Sequence, residues 1–94
     1  MIDEKSIPSK NPSILCTELD EEAVLLDLKT KCYFGLNEVA LFIWKLADGK
    51  RNVSDIVDEI CKNFDVEPST ALNSVKGFLK KLNDNNLVFI DASS

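Results

Sequence analysis

Residues 27–44 read DLKTKCYFGLNEVALFIW, and the hydrophobic period of this stretch changes in its middle. Up to Leu36 the residues alternate between two faces, which predicts a β-strand over 32–36. From Val39 onward apolar residues recur at helical spacing around most of the helix, which predicts burial on more than one side. Asn37 stands between the two segments with a side chain suited to cap the helix. The pattern therefore predicts a strand that runs almost directly into a central helix.

The residues before this stretch predict the rest of a small antiparallel sheet. Segments 13–19 and 23–28 have strand-like composition, and the short polar links between the three segments favour a meander, in which 13–19 and 32–36 are the edges. Residues 1–12 contain two prolines and several charges without clear periodicity. This composition predicts an extended, mobile N-terminal arm over 1–12, followed by a single domain over 13–94.

The residues after the stretch predict two more helices and a final strand. Gly49 suits the left-handed position after the first helix. Asn52 can cap a second helix, with Asp55 reaching back as in a capping box. Pro68 suits the first turn of a third helix, and 87–90 predicts a short strand. The fold class is therefore α+β: a three-stranded antiparallel sheet, three helices and a short C-terminal strand. Because the last two helices have helix-turn-helix proportions, a winged-helix-like domain is expected.

Composition narrows the function. The chain has 94 residues, a net charge of −5 and no histidine, and a pI near 4.6. An acidic protein of this kind is not expected to bind nucleic acid or anionic lipid generally. No apolar run reaches the ~18 residues of a membrane span and no signal-peptide core is visible, so a cytoplasmic location is predicted. Three widely spaced cysteines predict free thiols and no metal site, and no cofactor is indicated.

Enzymatic activity is poorly supported by the residue types. The sequence has no histidine, which is the commonest general base in enzymes. Its three glycines are isolated, so no glycine-rich phosphate-binding loop is predicted. The alternative is a winged-helix DNA-binding transcriptional regulator, with Lys76, Lys80 and Lys81 on its recognition helix. Against it, that helix starts Glu67-Pro68-Ser69-Thr70, without the Arg, Asn or Gln side chains that read bases.

The predicted edge strand 32–36 is the strongest functional feature. It contains no proline and no charge, the devices that usually protect an exposed sheet edge. An incoming peptide can therefore add to it as a further strand. Two other interpretations remain open at this point: the edge is covered by the N-terminal arm, or by a second copy of the protein in a purely structural, self-associating role.

Four segments in this order resemble the PqqD-like family: LDEEAVLLDL (19–28), YFGLNEVA (33–40), IWKLADG (43–49) and VSDIVDEI (53–60). These proteins are peptide-recognition elements of pathways that modify ribosomally made peptides, including pyrroloquinoline-quinone and lasso-peptide biosynthesis. The resemblance covers about residues 15–90. It departs from the family pattern at Lys31-Cys32 and at Glu67, which leaves the particular pathway open.

The resemblance implies a non-catalytic chaperone that binds the leader of a precursor peptide and presents the peptide to modifying enzymes. The leader would add as an antiparallel strand to the third strand and lie against the third helix. The implied partners are the leader and a modifying enzyme or leader peptidase, with the protein a monomer or weak dimer. We expect Lys76 or Lys80 to pair with leader carboxylates. The predicted peptide-binding residues are Cys32, Tyr33, Phe34, Gly35 and Leu36 on the strand, and Leu72, Val75, Lys76, Leu79 and Lys80 on the helix.

Overall fold

The computed structural model describes residues 2–91, which form five strands, three helices and two small sheets. Met1 and residues 92–94 lie outside the described residues. The predicted α+β class is confirmed. The elements in chain order are β1 (Ile7–Lys10), β2 (Ile14–Leu19), β3 (Glu22–Asp27), β4 (Tyr33–Leu36), α1 (Glu38–Leu46), α2 (Val53–Asn63), α3 (Pro68–Asp84) and β5 (Val88–Asp91).

Strands β2, β3 and β4 form the predicted antiparallel meander in the order β2-β3-β4. Leu25 of β3 lies between Cys16 of β2 and Phe34 of β4. Phe34 lies opposite Leu25 and two residues before Leu36. Because side chains alternate along a strand, Leu25 and Leu36 therefore point to the same face of the sheet. Both are buried, and α1 packs against β3 and β4. The other face of this sheet carries the exposed side chains.

Local capping chemistry sets the starts of the first two helices as predicted. The Asn37 side chain accepts a hydrogen bond from the Ala40 N–H at 2.8 Å. Asn52 and Asp55 form a complete capping box at the start of α2. Such caps satisfy backbone N–H groups that have no partner inside the helix. Gly49 has a φ of 78°, the left-handed conformation that glycine adopts without steric cost.

The hydrophobic core lies between the helices and the inner face of the meander. The buried residues of α1 are Leu41, Ile43 and Trp44. Because they lie on different sides of the helix, the prediction that α1 is buried on more than one side is confirmed. The rings of Phe42 and Phe64 meet edge to face with centroids 5.3 Å apart, a geometry that adds to simple burial. The buried positions of α2 and α3 are Val53, Ile56, Val57, Ile60, Ala71, Val75, Leu79 and Leu82.

The N-terminal segment differs from the sequence expectation. Residues 7–10 form β1, which pairs antiparallel with β5, with Ile7 opposite Asp91. The segment is further held by hydrogen bonds from the Val53 N–H to the Ser6 carbonyl and from the Gly49 N–H to the Pro8 carbonyl, both 2.9 Å. The extended conformation agrees with the prediction for the arm, whereas the pairing with β5 is not predicted from the sequence. Composition could not reveal a pairing between segments at opposite ends of the chain.

No helix within residues 2–91 is both long enough and apolar enough to cross a membrane.

Candidate functional site

Strand β4 is an edge of the three-stranded sheet. Among residues 2–91 it pairs with β3 on one side and with no strand on the other. The possibility that the N-terminal arm covers this edge is therefore wrong for the described part of the chain, because β1 pairs with β5 instead. The four residues Tyr33–Leu36 leave one row of main-chain groups available to another chain.

The hydrogen-bond register shows which groups these are. The Asp27 N–H donates to the Cys32 carbonyl at 2.9 Å. In an antiparallel pair the residues alternate between bonding the neighbouring strand and facing away from it. Phe34 and Leu36 therefore direct their N–H and C=O groups toward β3. Those of Tyr33 and Gly35 point to the open side.

A tight turn at the start of β4 fixes this register. The Asp27 carboxylate accepts hydrogen bonds from the backbone N–H groups of Lys29, at 2.9 Å, and Thr30, at 3.3 Å. The Lys31 N–H donates to the Asp27 carbonyl, and Lys31 has a φ of 66°. The hydrogen bond from the Lys29 N–H, the largest effect, and the Thr30 bonds hold the pKa of Asp27 below its ordinary value, against the opposing effect of desolvation. The turn is thus stabilised by the ionised carboxylate.

The open edge borders a groove whose other wall is α3. The Nζ atom of Lys81 lies 5.3 Å from the centre of the Phe34 ring, within the range of a cation–π contact. A cavity of about 220 Å³ opens where the start of β4 faces the end of α3. Its lining combines an aromatic surface with carboxylates and amides: Asp27, Thr30, Cys32, Tyr33, Phe34, Asp84, Asn85, Asn86 and Leu87.

The predicted strand residues differ in how they meet this groove. Tyr33 is 74% exposed, and Cys32 and Gly35 are also exposed. Phe34 is half-buried beneath Lys81, whereas Leu36 is buried in the core. The edge is therefore lined by Tyr33, Phe34 and the main chain, while the Leu36 side chain contributes to the core.

The predicted helix residues are not brought together with β4. Val75 and Leu79 are fully buried core residues. Leu72 lines a shallow cavity toward α2. Lys76 and Lys80 line another cavity together with Ile2, and the Lys80 Nζ donates to the Asp84 carboxylate at 2.9 Å. A peptide-binding role for these five residues stays a prediction, but their positions do not favour it.

Sequence reasoning missed Lys81 as the cation that faces β4. The apolar stripe of α3 is wide, and lysines stand on both of its flanks. Helical spacing places Ser74, Phe78 and Lys81 on one flank, because residues three or four apart are neighbours on a helix surface. The spacing alone does not say which flank faces the sheet.

The chemistry of the groups beside β4 is that of peptide recognition. Nowhere in residues 2–91 do three or more His, Cys, Asp or Glu side chains converge closely enough to hold a metal ion. The polar groups beside β4 are main-chain amides, the Lys81 ammonium, carboxamides and the carboxylates of Asp27 and Asp84. Such groups can pair with a peptide backbone and with acidic or polar side chains.

These features define a class of small α+β domain, in which a sheet ends in an unprotected aromatic strand beside a helix. The family model described as coenzyme PQQ synthesis protein D (PqqD) matches residues 22–88. The chain therefore belongs to the PqqD family, as the sequence resemblance predicted. Comparison with curated proteins found no match.

Solved structures with the same fold are consistent with this assignment. One is TbiB1 in complex with the TbiA(beta) leader peptide, 30% identical, with a TM-score of 0.78 over 92% of this chain and 98% of that chain. A second is a lasso peptide synthetase B1 complexed with the leader peptide, 25% identical, with a TM-score of 0.75 over 88% and 98% of the two chains. The heterocyclase TruD, 13% identical, shares the fold alone, with a TM-score of 0.64 over 95% of this chain and 12% of that chain.

Proposed function

We propose that this protein is a non-catalytic chaperone that binds the leader of a ribosomally made precursor peptide by strand addition to β4. The observation that carries the proposal is the outward direction of the Tyr33 and Gly35 main-chain groups at an edge with no partner in residues 2–91. The leader would run antiparallel to β4 and lie in the groove whose other wall is α3. Lys81 would meet an acidic or polar leader side chain there.

Membership of the PqqD family and the similarity to two structures solved with leader peptides support this proposal. Both of those chains are covered almost completely, so the likeness extends over the whole of each protein. We propose the same kind of partner for this chain, in a lasso-peptide or pyrroloquinoline-quinone-type pathway. A modifying enzyme or leader peptidase would then act on the presented peptide, and a cytoplasmic setting belongs to the same proposal.

The energetics require more than hydrogen bonds along the edge. Ordering a flexible peptide costs about 2–5 kcal/mol. Two residues with both main-chain groups available can form up to four hydrogen bonds, each contributing about 0.5–1.5 kcal/mol net. These two quantities nearly cancel, so usable affinity must come from apolar leader side chains. Tyr33 and Phe34 are the aromatic surfaces beside the edge that can bury them.

We further propose that the helices and the β1–β5 pair form a winged-helix-like arrangement. In its support, α2 packs against α3, and β5 follows α3 and packs against it. No specific observation favours the DNA-binding alternative. Lys80 is paired with Asp84 and Lys81 lies over Phe34, so two of the three lysines on this helix have partners on the protein itself.

Two proline variants test strand addition. A labelled peptide from the small open reading frame beside the gene is titrated against Tyr33→Pro and Phe34→Pro. Proline removes one main-chain donor. At Tyr33 that donor faces the open edge, so the fold should persist, while the lost hydrogen bond, about 0.5–1.5 kcal/mol, should weaken the affinity roughly two- to tenfold. At Phe34 the donor faces β3, so the fold itself should lose about 1–3 kcal/mol of stability.

Circular dichroism and thermal unfolding separate the two effects. Undiminished peptide affinity in a folded Tyr33→Pro variant would overturn strand addition at β4. A mobility-shift assay with duplex DNA at moderate salt tests the alternative, and retarded DNA would favour a regulator instead.

A further inference from the structure

The face of the β2-β3-β4 sheet that points away from the core carries an apolar surface. No residue among 2–91 covers it: Leu15 is 51% exposed, Leu19 56%, Leu28 47% and Tyr33 74%. Val24 and Leu26 lie between them and are half-buried. A contiguous apolar patch of this kind on a small protein marks an interaction surface. We call it the outer face.

The outer face has a raised row and a recessed row. Strand register places Leu15, Leu26 and Tyr33 side by side in the raised row. The neighbouring row contains Thr17, Val24 and Gly35. A Cβ atom added at Gly35 would meet nothing within 4 Å, and a depression of about 280 Å³ opens there. A large projecting side chain thus stands next to a hollow on the same strand.

The two ends of the outer face carry opposite charges. Lys29 and Lys31 lie in the connection between β3 and β4, whereas Asp20, Glu21 and Glu22 lie at the turn between β2 and β3. All five residues are exposed. Within the part of the chain that the structure describes, none of them takes part in an ion pair.

We propose that the outer face binds a second copy of this chain in a two-fold symmetric, face-to-face dimer. A two-fold axis that crosses the strands at the row of Leu25 and Phe34 reverses the strand direction in the second copy. It places the raised row of each copy over the recessed row of the other, so that Tyr33 enters the hollow at Gly35. It also places the basic end of each copy over the acidic end of the other. The outer face of one copy thus contacts the same face of the other copy, as in isologous interfaces.

The charge pattern is the reason for choosing a second copy over another occupant. A chain with a net charge of −5 repels its own copies at long range unless local charges are arranged to oppose this. The basic and acidic ends provide that arrangement within one sequence. The dimer leaves the outward main-chain groups of β4 at its side, although it shares the Tyr33 side chain with the proposed leader site. It therefore goes beyond leader binding and does not depend on it.

Sedimentation velocity over the micromolar range up to about 1 mM protein measures the association. The mass should rise reversibly from one chain to two. Lys29→Glu/Lys31→Glu should weaken the dimer at least roughly tenfold, because like charges then face each other at both ends. Asp20→Lys/Glu21→Lys should do the same. An equimolar mixture of these two variants should form a heterodimer, because one is acidic and the other basic at both ends.

A second pair of variants tests the hollow. Gly35→Val fills it and should weaken the dimer, whereas Gly77→Ala adds a methyl group at an equally open position on α3 and should leave it unchanged. Thermal unfolding confirms that each variant is folded. A single-chain mass up to about 1 mM would overturn the proposal, and so would a dimer that none of the outer-face variants affects. Peptide titration of the two charge-reversal variants, which leave Tyr33–Leu36 unchanged, reports on leader binding separately, since a failed dimer leaves the edge of β4 available.

Discussion

Lys81 on α3 and Phe34 on β4 form a cation–π contact across the groove, with the Lys81 Nζ 5.3 Å from the centre of the Phe34 ring. Phe34 belongs to the edge strand, and Lys81 lies in the last full turn of the long helix. Their contact identifies the flank of α3 that faces the open edge. A peptide added to β4 would therefore meet Lys81 before it met any other cation of the helix.

Charge reversal at Lys81 should weaken leader binding. Lys81→Glu replaces the cation beside Phe34 with an anion, which should cost about 1 kcal/mol, or roughly a fivefold loss in affinity, and the effect should shrink at high salt. Isothermal titration calorimetry at two salt concentrations measures it.

Lys76→Glu is the matched control, because it makes the same change on the other flank of the same helix. If it weakened the affinity more than Lys81→Glu, the earlier prediction of Lys76 and Lys80 as leader contacts would stand and the groove would have to be placed elsewhere.

Stability should depend on the charge of Asp27 in the acid range. Its pKa is lowered in the folded chain, chiefly by the hydrogen bond from the Lys29 N–H. A carboxyl with a lowered pKa stabilises the fold above its unfolded pKa, near 3.9, and that contribution is lost as the pH falls through the folded value.

Asp27→Asn keeps an acceptor oxygen but cannot ionise. It should therefore be less stable than the unmodified chain at pH 7, and the difference should shrink as the pH falls from about 5 toward 2. Urea denaturation at a series of pH values checks this. A difference that stays constant over the range would show that the carboxylate charge does not stabilise the turn.

Gly77 weakens α3 without any visible packing requirement. A Cβ added there meets nothing within 4 Å, so Gly77→Ala should raise the free energy of unfolding by about 1 kcal/mol. In a domain of this size, that corresponds to a rise in melting temperature of roughly 4–8 °C.

Gly49→Ala, in contrast, should lower the free energy of unfolding. Gly49 has a φ of 78°, and the added Cβ would lie 3.4 Å from the Cβ of Ser9, so the substitution should cost about 1–2 kcal/mol. Calorimetry of the two variants gives both values. A neutral or destabilising Gly77→Ala would point to a need for open space in the neighbouring cavity that Ile2 lines.

The parts of this fold that could be predicted from the sequence depend on neighbouring residues. The meander follows from alternation and short links, and the helix starts follow from the side chains of Asn37 and Asn52. The pairing of β1 with β5 could not be predicted in this way. This pairing joins opposite ends of the chain. In addition, Ile7–Lys10 contains a proline, a residue that argues against a strand when only the sequence is considered.

Of the two walls of the candidate site, only the β4 edge could be predicted from the sequence, and the α3 wall could not. The aromatic, uncharged edge of β4 is visible as a local pattern. The groove wall on α3 depends on how the helix is rotated against the sheet, and this rotation is fixed by burial of Val75, Leu79 and Leu82 in the core. The outer face required the register between strands, which places Tyr33 beside Leu26 and Gly35 beside Val24.

Amide hydrogen exchange of β4, followed by NMR with and without the leader peptide, tests strand addition most directly. In the free protein the N–H groups of Tyr33 and Gly35 should exchange rapidly, because they face the open side, while those of Phe34 and Leu36 should be protected by β3. At saturating peptide the N–H groups of Tyr33 and Gly35 should become protected as well. If both continued to exchange at their free rates while the peptide was bound, the leader would not be a fourth strand of this sheet.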